Sequence, residues 1–391
     1  MTDRAGTFDG VHRRNLSKVL GFVHLEGPLS RARLTAMTGL NRSTVATLVS
    51  ELVDLGLTIE QAPDPTNRVG RPSPVVAADP RVLAIAVNPE VDAVTIAAVG
   101  IDGRIAVRER IEVDRLPTPD ATAELIAATH DRWADGTLKR ARFVGVGLAV
   151  PGLVRASDGL VRWAPHLEWT DAPLRALVEE ATALRAAVGN DASFGAHAEH
   201  LFGAGRGVDD LVYLNGGASG IGGGLVVHGR LVGGTGGYAG EFGQNRPGIR
   251  SADDRRADRG VLEDEVSRAR LLEVAGLATA DEPTLARALI DSNAPEVLAE
   301  LARQRRILAT ALSNAVNVLN PSLVVLGGFL ATIATSDPDD LEREVESQTV
   351  AAAFEGVSIR VAALGEDRLM IGAAEAAFSP LIADPLTAGG E

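Results

Sequence analysis

Cysteine is absent from the 391-residue sequence. Its absence excludes disulfide bonds, thiolate nucleophiles and cysteine-ligated zinc sites. Aromatic residues make up only 4% of the chain, whereas glycine occurs 42 times. This balance favours a fold with many tight strand-to-helix turns over an aromatic-rich β-sandwich. With 46% hydrophobic residues, the chain can fill the cores of two or three domains.

Long apolar runs are also lacking. No uninterrupted stretch approaches the roughly 20 residues needed to cross a bilayer, and the start MTDRAGTFDG has no apolar signal core. We therefore expect a cytoplasmic protein. The net charge of −14 argues against general coating of nucleic acid, but it is unevenly spread. Residues 1–80 carry nine basic and eight acidic side chains, which gives +1 and leaves −15 for the rest.

The first 80 residues have the pattern of three short helices followed by a β-wing. Asn15 is a predicted N-cap for the first helix, and apolar residues recur behind it at helical spacing. Ser30 caps a second helix that ends at Gly39, and Asn41 caps a third helix directly afterwards. Two short helices joined by a glycine-containing turn form a helix-turn-helix.

In a helix-turn-helix, the second helix points its first turn at base edges, while the preceding helix crosses the DNA backbone. The candidate DNA contacts of these helices are Arg31, Asn41, Arg42, Ser43, Thr44 and Thr47. Arg42 can pair with guanine through two hydrogen bonds. Arg68 and Arg71 lie at the tip of the predicted wing, where they are placed to reach a narrow minor groove. A generic three-helix bundle is the alternative. The polar first turn of the third helix, the tight turn before it and the arginines of the wing together favour DNA binding.

The rest of the chain alternates buried strands with helices. Residues 82–88 and 91–99 and the stretch after Asp102-Gly103 predict a three-strand meander. Further on, apolar strands such as FVGVGLAVPGLV alternate with helices, and a glycine loop, ASGIGGG, precedes the strand LVVHGRLV. The alternation indicates α/β lobes with largely parallel sheets. Two such lobes with a glycine-lined cleft resemble the actin-like sugar kinases, and a cleft is a default place for a small ligand.

Head and body together resemble the ROK family, named for repressors, open reading frames and kinases, in its transcriptional-repressor form. In the head the resemblance rests on LSRARLTAMTGLNRSTVATLVSELVDLGL and GRP. In the body it rests on VPGLV, VGNDASFGAHAE, GIGGGLVVHGRL, GGYAGEFG, RGVLEDEVS and LNPSLVVLGG. The implied fold is a winged helix-turn-helix over residues 1–80, followed by a two-lobed α/β actin-like body. Lobe 1 is expected at 81–195, completed by 371–391, and lobe 2 at 196–370.

A kinase of this family needs a phosphate loop of the Asp-x-Gly-x-Thr type near the start of the body. The corresponding stretch here, AIAVNPEVDAV, contains no glycine and includes Pro89. Residues with Cβ atoms and a fixed proline φ cannot offer the backbone-amide nest that cradles ATP phosphates. We therefore predict that the protein is not an enzyme, although Asp191 matches the position of the family's catalytic base.

The resemblance also implies a sugar site. Its candidate contacts are Asn190, Asp191, Glu241 and Glu263, with His166 where the family often has an asparagine after a proline. Carboxylates and amides suit vicinal hydroxyls because they form hydrogen bonds in planar pairs. The alternatives are a strand-end cap for Asn190-Asp191, a helix N-terminal carboxylate for Glu263, and a satisfied loop histidine for His166.

The stretch DRRADRGVLEDEVS has the rhythm of a metal-binding loop that leads into a helix. Family members commonly hold zinc with one histidine and three cysteines, and the matching positions here are Gln244, Asp254, Arg256 and Val261. A tetrahedral structural site needs four ligands, so we predict neither a metal nor another cofactor. We expect Arg256 to pair with Asp253 or Asp254 and Gln244 to bind the loop backbone in place of the metal.

Together these features predict a sequence-specific DNA-binding repressor of carbohydrate-metabolism genes. A sugar or sugar derivative between the lobes of a catalytically inactive body is expected to modulate affinity for a double-stranded DNA operator. A homodimer or homotetramer would present two heads to an inverted repeat. Two alternatives stay open: an active ATP-dependent sugar kinase with a DNA-binding head, and a ligand-independent DNA-binding protein with a scaffold body.

Overall fold

The structure is a computed structural model that describes residues 3–62, 74–249 and 251–389. The chain divides into two compact units. The first comprises the described residues of Met1–Leu148, Pro173–Val188 and Ala373–Glu391, and the second those of Ala149–Ala172 and Gly189–Gly372. The predicted domain bounds near residues 80 and 195 stay predictions. No helix within the described ranges has both the length and the hydrophobicity needed to cross a bilayer.

Helices and strands alternate along most of the described chain. The α-helices of the described residues are α1 (Asp3–Glu26), α2 (Arg31–Thr38), α3 (Arg42–Asp54), α4 (Pro119–Asp135), α5 (Leu174–Thr182), α6 (Asp191–Phe202), α7 (Leu262–Glu265), α8 (Arg268–Val274), α9 (Glu282–Ile290), α10 (Pro295–Leu319), α11 (Phe329–Ser336), α12 (Pro338–Gln348), α13 (Ala351–Phe354) and α14 (Arg368–Ala383). The strands are β1 (Leu29–Ser30), β2 (Thr58–Gln61), β3 (Val75–Ala78), β4 (Val82–Pro89), β5 (Ala93–Gly100), β6 (Ile105–Glu112), β7 (Arg142–Val150), β8 (Leu153–Val154), β9 (Val161–Ala164), β10 (Trp169–Ala172), β11 (Ala186–Asn190), β12 (Leu211–Gly217), β13 (Gly220–Val227), β14 (Arg230–Leu231), β15 (Leu323–Gly328) and β16 (Ser358–Val361).

The amino-terminal part of the first unit has the predicted winged helix-turn-helix order. The hydroxyl of Ser30 caps α2 by accepting a hydrogen bond from the amide of Arg33 at 3.1 Å. α2 ends at Gly39 in the left-handed region, with φ 71°. Asn41 caps α3 through the amide of Thr44, 2.8 Å away. β2 and β3 pair antiparallel as the wing strands, and β1 joins the other side of β3.

The start of α1 differs from the prediction. The helix begins at Asp3, so Asn15 lies inside it and the predicted N-cap is wrong. The predicted apolar stripe is nevertheless correct, and its members are Leu16, Val19, Leu20 and Val23, all buried. Capping preference is a weak local signal, which lets a helix with a packed face continue through a good capping residue.

The sheet of the first unit has the strand order β11-β7-β4-β5-β6. β4, β5 and β6 form the predicted antiparallel meander, while β7 runs parallel to β4. α14 packs directly on β7 where the strand has glycines. A Cβ atom at Gly147 would overlap the backbone oxygen of Ala373 in α14, so a side chain there would push the helix away.

The sheet of the second unit has the order β14-β13-β12-β15-β16. Side chains alternate between its faces. Val212 and Leu214 of β12 belong to a core that includes α10 residues, whereas Leu211 and Tyr213 pack in a cluster with Ala196 of α6. Both faces of the sheet are therefore buried, which explains the continuous apolar runs of its strands.

The glycine-rich stretch is a strand and not the expected loop. β13 covers residues 220–224 of this stretch and pairs antiparallel with β12, while Ala218 and Ser219 form the turn between the two strands. A Cβ atom at Gly222 would lie 2.6 Å from the Cβ of Ala192, and one at Gly224 would overlap the Cβ of Ala196. The glycines thus allow α6 to lie directly on β13, which a loop reading of the sequence does not anticipate.

Candidate ligand-binding pocket and nucleic-acid interface

The second unit contains a pocket of about 680 Å³. All five predicted sugar contacts line it, namely His166, Asn190, Asp191, Glu241 and Glu263. They come from four separate stretches of the chain, so the tertiary fold brings them together. Their role in binding a sugar stays a prediction, but their placement in one pocket agrees with it.

Asn190 and Asp191 lie where β11 ends and α6 begins. The Asn190 side chain caps α6, accepting from the amide of Ser193 at 2.9 Å and donating to the backbone oxygen of Gly152 at 3.1 Å. Asp191 Oδ1 accepts from the amide of Ala192 at 2.8 Å. The cap is therefore real for Asn190, and it fixes the position from which the Asp191 carboxylate faces the pocket.

Two carboxyl groups of the pocket, those of Asp191 and Glu241, have raised pKa values. Loss of hydration raises the pKa of Asp191 to about 6, despite the opposing amide of Ala192 and the positive charge of Arg368. The pKa of Glu241 is raised by partial desolvation and by the nearby carboxylates of Asp191 and Glu263. Crowded carboxylates favour a ligand that donates hydrogen bonds, as hydroxyl groups do, over an anionic ligand.

Gln244 connects two charged side chains at the pocket. Its Nε2 donates to Glu263 Oε1 at 2.5 Å, and its Oε1 accepts from Arg259 Nη2 at 2.8 Å. Arg259 also lies near Asp264, with 3.5 Å between Nε and Oδ2. The expectation that Gln244 binds the loop backbone is therefore wrong. Sequence reasoning missed Arg259 because a single arginine in a charged loop resembles a solvated surface residue.

His166 follows β9 in a short helical turn. Its Nε2 lies 3.0 Å from the backbone oxygen of Ser219, an atom that can only accept. Nε2 therefore carries the proton, and in the neutral ring Nδ1 is left as an acceptor. The alternative that His166 is a loop histidine satisfied within the protein thus holds for one ring nitrogen. The other ring nitrogen can still accept a hydrogen bond from a ligand hydroxyl.

The four positions that would correspond to a zinc site do not fit the metal. Val261 is buried and apolar, and the Asp254 carboxylate pairs with Arg306 at 2.7 Å. The Arg256 guanidinium donates to the backbone oxygen of Asp253, so the expected pairing with an aspartate carboxylate is wrong. One paired carboxylate does not make a tetrahedral site. No group of three His, Asp or Glu in the described part of the chain could hold a metal ion.

The predicted DNA-contacting face of α3 is exposed. Asn41, Arg42, Ser43 and Thr47 are exposed, and Thr44 is half-buried. The Asn41 carbonyl is committed to the cap, accepting from the amide of Thr44 at 2.8 Å and from the Ser43 hydroxyl at 2.7 Å. Its amide nitrogen remains the atom able to donate outward. The contact of these residues with DNA stays a prediction.

Of the other predicted DNA contacts, Arg31 lies within the described residues, and Arg68 and Arg71 do not. Arg31 makes two hydrogen bonds to Glu60 of β2, from Nε at 2.5 Å and from Nη2 at 2.7 Å. The pair links α2 to the wing, so Arg31 has a structural partner as well as its predicted role.

His24 is a buried residue that sequence reasoning missed. It lies in α1, with Nδ1 2.5 Å from the backbone oxygen of Ile101 and Nε2 2.9 Å from Glu375 Oε2 of α14. Glu375 is 351 positions away in the sequence, so no local pattern could have indicated the pair. These contacts join the helix-turn-helix to the remainder of the first unit.

Comparison with known proteins agrees with the motifs. The xylose repressor of Caldicellulosiruptor bescii is 25% identical over 376 residues, covering 91% of this chain and 93% of that protein. The glucokinase of Halalkalibacterium halodurans is 29% identical over 271 residues, covering 64% of this chain and 81% of the kinase.

A solved structure and a family model complete the comparison. The crystal structure of a ROK family transcriptional regulator, a homologue of the E. coli MLC protein, superposes with a TM-score of 0.76 at 20% identity. It covers 97% of this chain and 98% of its own, which confirms the predicted fold class. The model of the ROK family matches residues 84–379, about three quarters of the sequence. The chain therefore belongs to the ROK family.

Proposed function

We propose that the protein is a cytoplasmic transcriptional repressor of carbohydrate-metabolism genes, whose affinity for a DNA operator is modulated by a bound sugar or sugar derivative. The observation that carries the proposal is the extent of the match to the xylose repressor. Residues 84–379 make up about three quarters of the chain, so an alignment over 91% of it has to include much of the head. The shared part thus includes much of the helical head as well as the ROK body, which supports a DNA-binding role for the head.

The exposed first turn of α3 supports the DNA-binding half of the proposal. Arg42 can donate two hydrogen bonds to one guanine, and the hydroxyls of Ser43 and Thr47 can reach bases or phosphates. The sequence predicts that Arg68 and Arg71, which lie outside the described residues, contact the minor groove. A homodimer or homotetramer would place two such heads on the half-sites of an inverted repeat.

The pocket of the second unit supports the ligand-binding half. Asp191, Glu241 and Glu263 supply acceptors for sugar hydroxyls, while Asn190 fixes the start of α6 beside them. The name of the repressor relative makes xylose the first sugar to test. A bound sugar can alter operator affinity only through its different affinities for the two conformations of the protein.

The turn between β4 and β5 argues against phosphoryl transfer. It carries Glu90 and Asp92, and the Arg110 guanidinium lies 2.8 Å from Asp92 and 3.5 Å from Glu90. The turn lacks the glycines of an amide nest, and one guanidinium between two carboxylates leaves a net negative charge that does not suit a triphosphate. A sugar kinase remains the second candidate function because a pKa of about 6 suits Asp191 to accept a hydroxyl proton.

Selection of genomic DNA fragments by the full-length protein tests the proposal. We expect enrichment of an inverted repeat, and a change of about 5- to 150-fold in its Kd when D-xylose or another bound carbohydrate is present. Enrichment that no carbohydrate alters would favour the ligand-independent alternative. Binding without any sequence preference would contradict the repressor assignment itself.

A further inference from the structure

The segment 254–267, here called the 254–267 loop, has a pocket side and a helix side. Arg259, Glu263 and Asp264 from this loop line the pocket. Away from the pocket, the loop is hydrogen-bonded to Arg303 and Gln304 of α10. The loop is therefore the connection between the ligand pocket and the longest helix of the second unit.

Glu265 is the centre of the contacts on the helix side. Its side chain is completely buried, at 0% exposure. Its carboxylate accepts from the amide of Arg256 at 2.9 Å, from the amide of Ala257 at 2.9 Å and from Arg303 Nη1 at 3.2 Å. One carboxylate thus holds two successive backbone amides of the loop and the guanidinium of α10.

Arg303 of α10 holds the loop at both ends. It is 3% exposed, and it donates to the backbone oxygens of Asp254 and Glu265, each at 2.7 Å. Glu300 orients the guanidinium through two hydrogen bonds of 2.8 and 2.7 Å. Gln304 then accepts from the amide of Ser267 at 3.0 Å and donates to the oxygen of the same residue at 3.1 Å.

Stability alone does not account for this network. A buried ion pair loses hydration, and an apolar pair of similar volume is often as stable. An apolar pair could not satisfy the backbone groups of Asp254, Arg256, Ala257 and Glu265, however. The charged pair therefore fixes the backbone path of the loop, and the described residues contain no cluster of metal ligands that could do so instead.

We propose that Glu265 and Arg303 are positioning residues that fix the 254–267 loop, without a metal, in the geometry of the ligand pocket. The connection to the pocket is short. Leu262 donates its amide to the oxygen of Asn245 at 2.8 Å, and the next residue, Glu263, accepts from Gln244 at 2.5 Å. A displaced loop would move Glu263 and Gln244 together. The proposal rests on the proposed sugar binding for its ligand, but not for the order of the loop.

The order of the loop can be measured by limited trypsin digestion of the full-length protein. Arg255, Arg256 and Arg259 are exposed cleavage sites inside the loop. In Glu265→Gln the side-chain NH2 group replaces an oxygen that accepts hydrogen bonds and faces other donors, namely the loop amides or the Arg303 guanidinium. We therefore expect cleavage in the loop to rise at least about tenfold. Digestion in excess chelator should leave wild-type cleavage unchanged. Faster wild-type cleavage after chelation would show a structural metal and overturn the proposal.

A double variant distinguishes release of the loop from unfolding of the whole protein. Glu265→Met with Arg303→Met removes both members of the buried pair and leaves Glu300, which is 12% exposed and keeps its hydrogen bond from Gln304, so we expect unfolding to stay cooperative while loop cleavage becomes rapid. Arg306→Gln is the matched control, since it removes only the partly exposed pair with Asp254 and should leave the cleavage rate unchanged. Wild-type resistance to trypsin in the double variant would contradict the proposal.

Titration calorimetry with D-xylose and D-glucose supplies the second measurement. For whichever sugar the wild type binds, we expect the double variant to bind about 10- to 100-fold more weakly, because misplaced contacts lose most of their value. Unchanged affinity in a variant with a released loop would overturn the positioning role. Failure of the wild type to bind any carbohydrate would contradict the proposed function, while the cleavage result would still decide the order of the loop.

Discussion

Asp191 illustrates how a single residue can serve a pocket at the expense of stability. Its pKa of about 6 results from lost hydration in the wall of the pocket. At neutral pH the carboxylate is charged in surroundings that favour the neutral acid. Such a residue is expected where function, and not folding, determines the side chain.

The substitution Asp191→Asn is expected to stabilise the free protein and to weaken sugar binding. The folded-state pKa of about 6 lies above the ordinary value of 3.8 for an aspartate, so the native state binds more protons between these values and loses stability as pH rises through them. At about pH 8 we expect the variant to be more stable by about 1 kcal/mol, with a smaller difference at about pH 4.

Urea unfolding at both pH values measures this difference, and calorimetry measures the expected loss of sugar affinity, about tenfold or more. Equal stability of variant and wild type at the higher pH would contradict the raised pKa. Equal sugar affinity would show that Asp191 does not contact the ligand.

Arg42→Ala is expected to weaken specific operator binding by about 1–3 kcal/mol, or roughly 5- to 150-fold, through loss of a bidentate base contact. Ser50→Ala is the matched control, because Ser50 is exposed on the same helix but lies beyond its first turns. Fluorescence anisotropy with operator and scrambled duplexes separates sequence-specific binding from non-specific binding. An Arg42 variant with full preference for the operator would show that α3 is wrongly assigned as the recognition helix.

At the scale of elements, α1 is anchored by a histidine that bonds with both nitrogens. Ile101 offers a backbone oxygen and Glu375 a carboxylate, so the doubly protonated ring of His24 satisfies both. Burial lowers the pKa of His24, but Glu375, Ile101 and Asp102 together raise it above its ordinary value of 6.5. The contact of α1 with α14 is therefore coupled to a proton.

The pH dependence of stability is expected to reveal this coupling. Because the folded-state pKa of His24 is raised, its stabilisation is fully present below 6.5 and is lost as pH rises through the folded-state value. We expect His24→Gln to lower the free energy of unfolding by about 1–3 kcal/mol at about pH 6 and by less at about pH 8.5. Denaturant titrations of both proteins check this, and a constant difference across that range would contradict a charged His24.

At the scale of the whole molecule, the question is whether a kinase-related body still transfers phosphate. We expect no sustained turnover of ATP with xylose or glucose, because the β4–β5 turn, which corresponds to the phosphate loop of the related kinases, has no glycine and carries Glu90 and Asp92. A coupled assay with a ROK glucokinase as positive control measures this. Turnover above the uncatalysed rate would support the second candidate function.

Much of the fold could be predicted from the sequence because its signals are local. The caps at Ser30 and Asn41 and the left-handed end at Gly39 each depend on a few neighbouring residues. The meander of β4, β5 and β6 follows from short apolar runs and a tight turn. The start of α1 and the strand β13 were misread where packing against distant elements outweighs local preference.

The sequence by itself determined the order of the elements. Through the family motifs, it also determined which residues form the candidate site. Only the tertiary structure decided what those residues touch. Gln244 joins Arg259 to Glu263, and Glu265 meets Arg303 from 38 positions away. Hydrogen-bond partners are selected by distance and direction in space, which hydrophobic spacing along the chain does not encode. For that reason the hydrogen bonds that connect the 254–267 loop to α10 became visible only once the chain was folded.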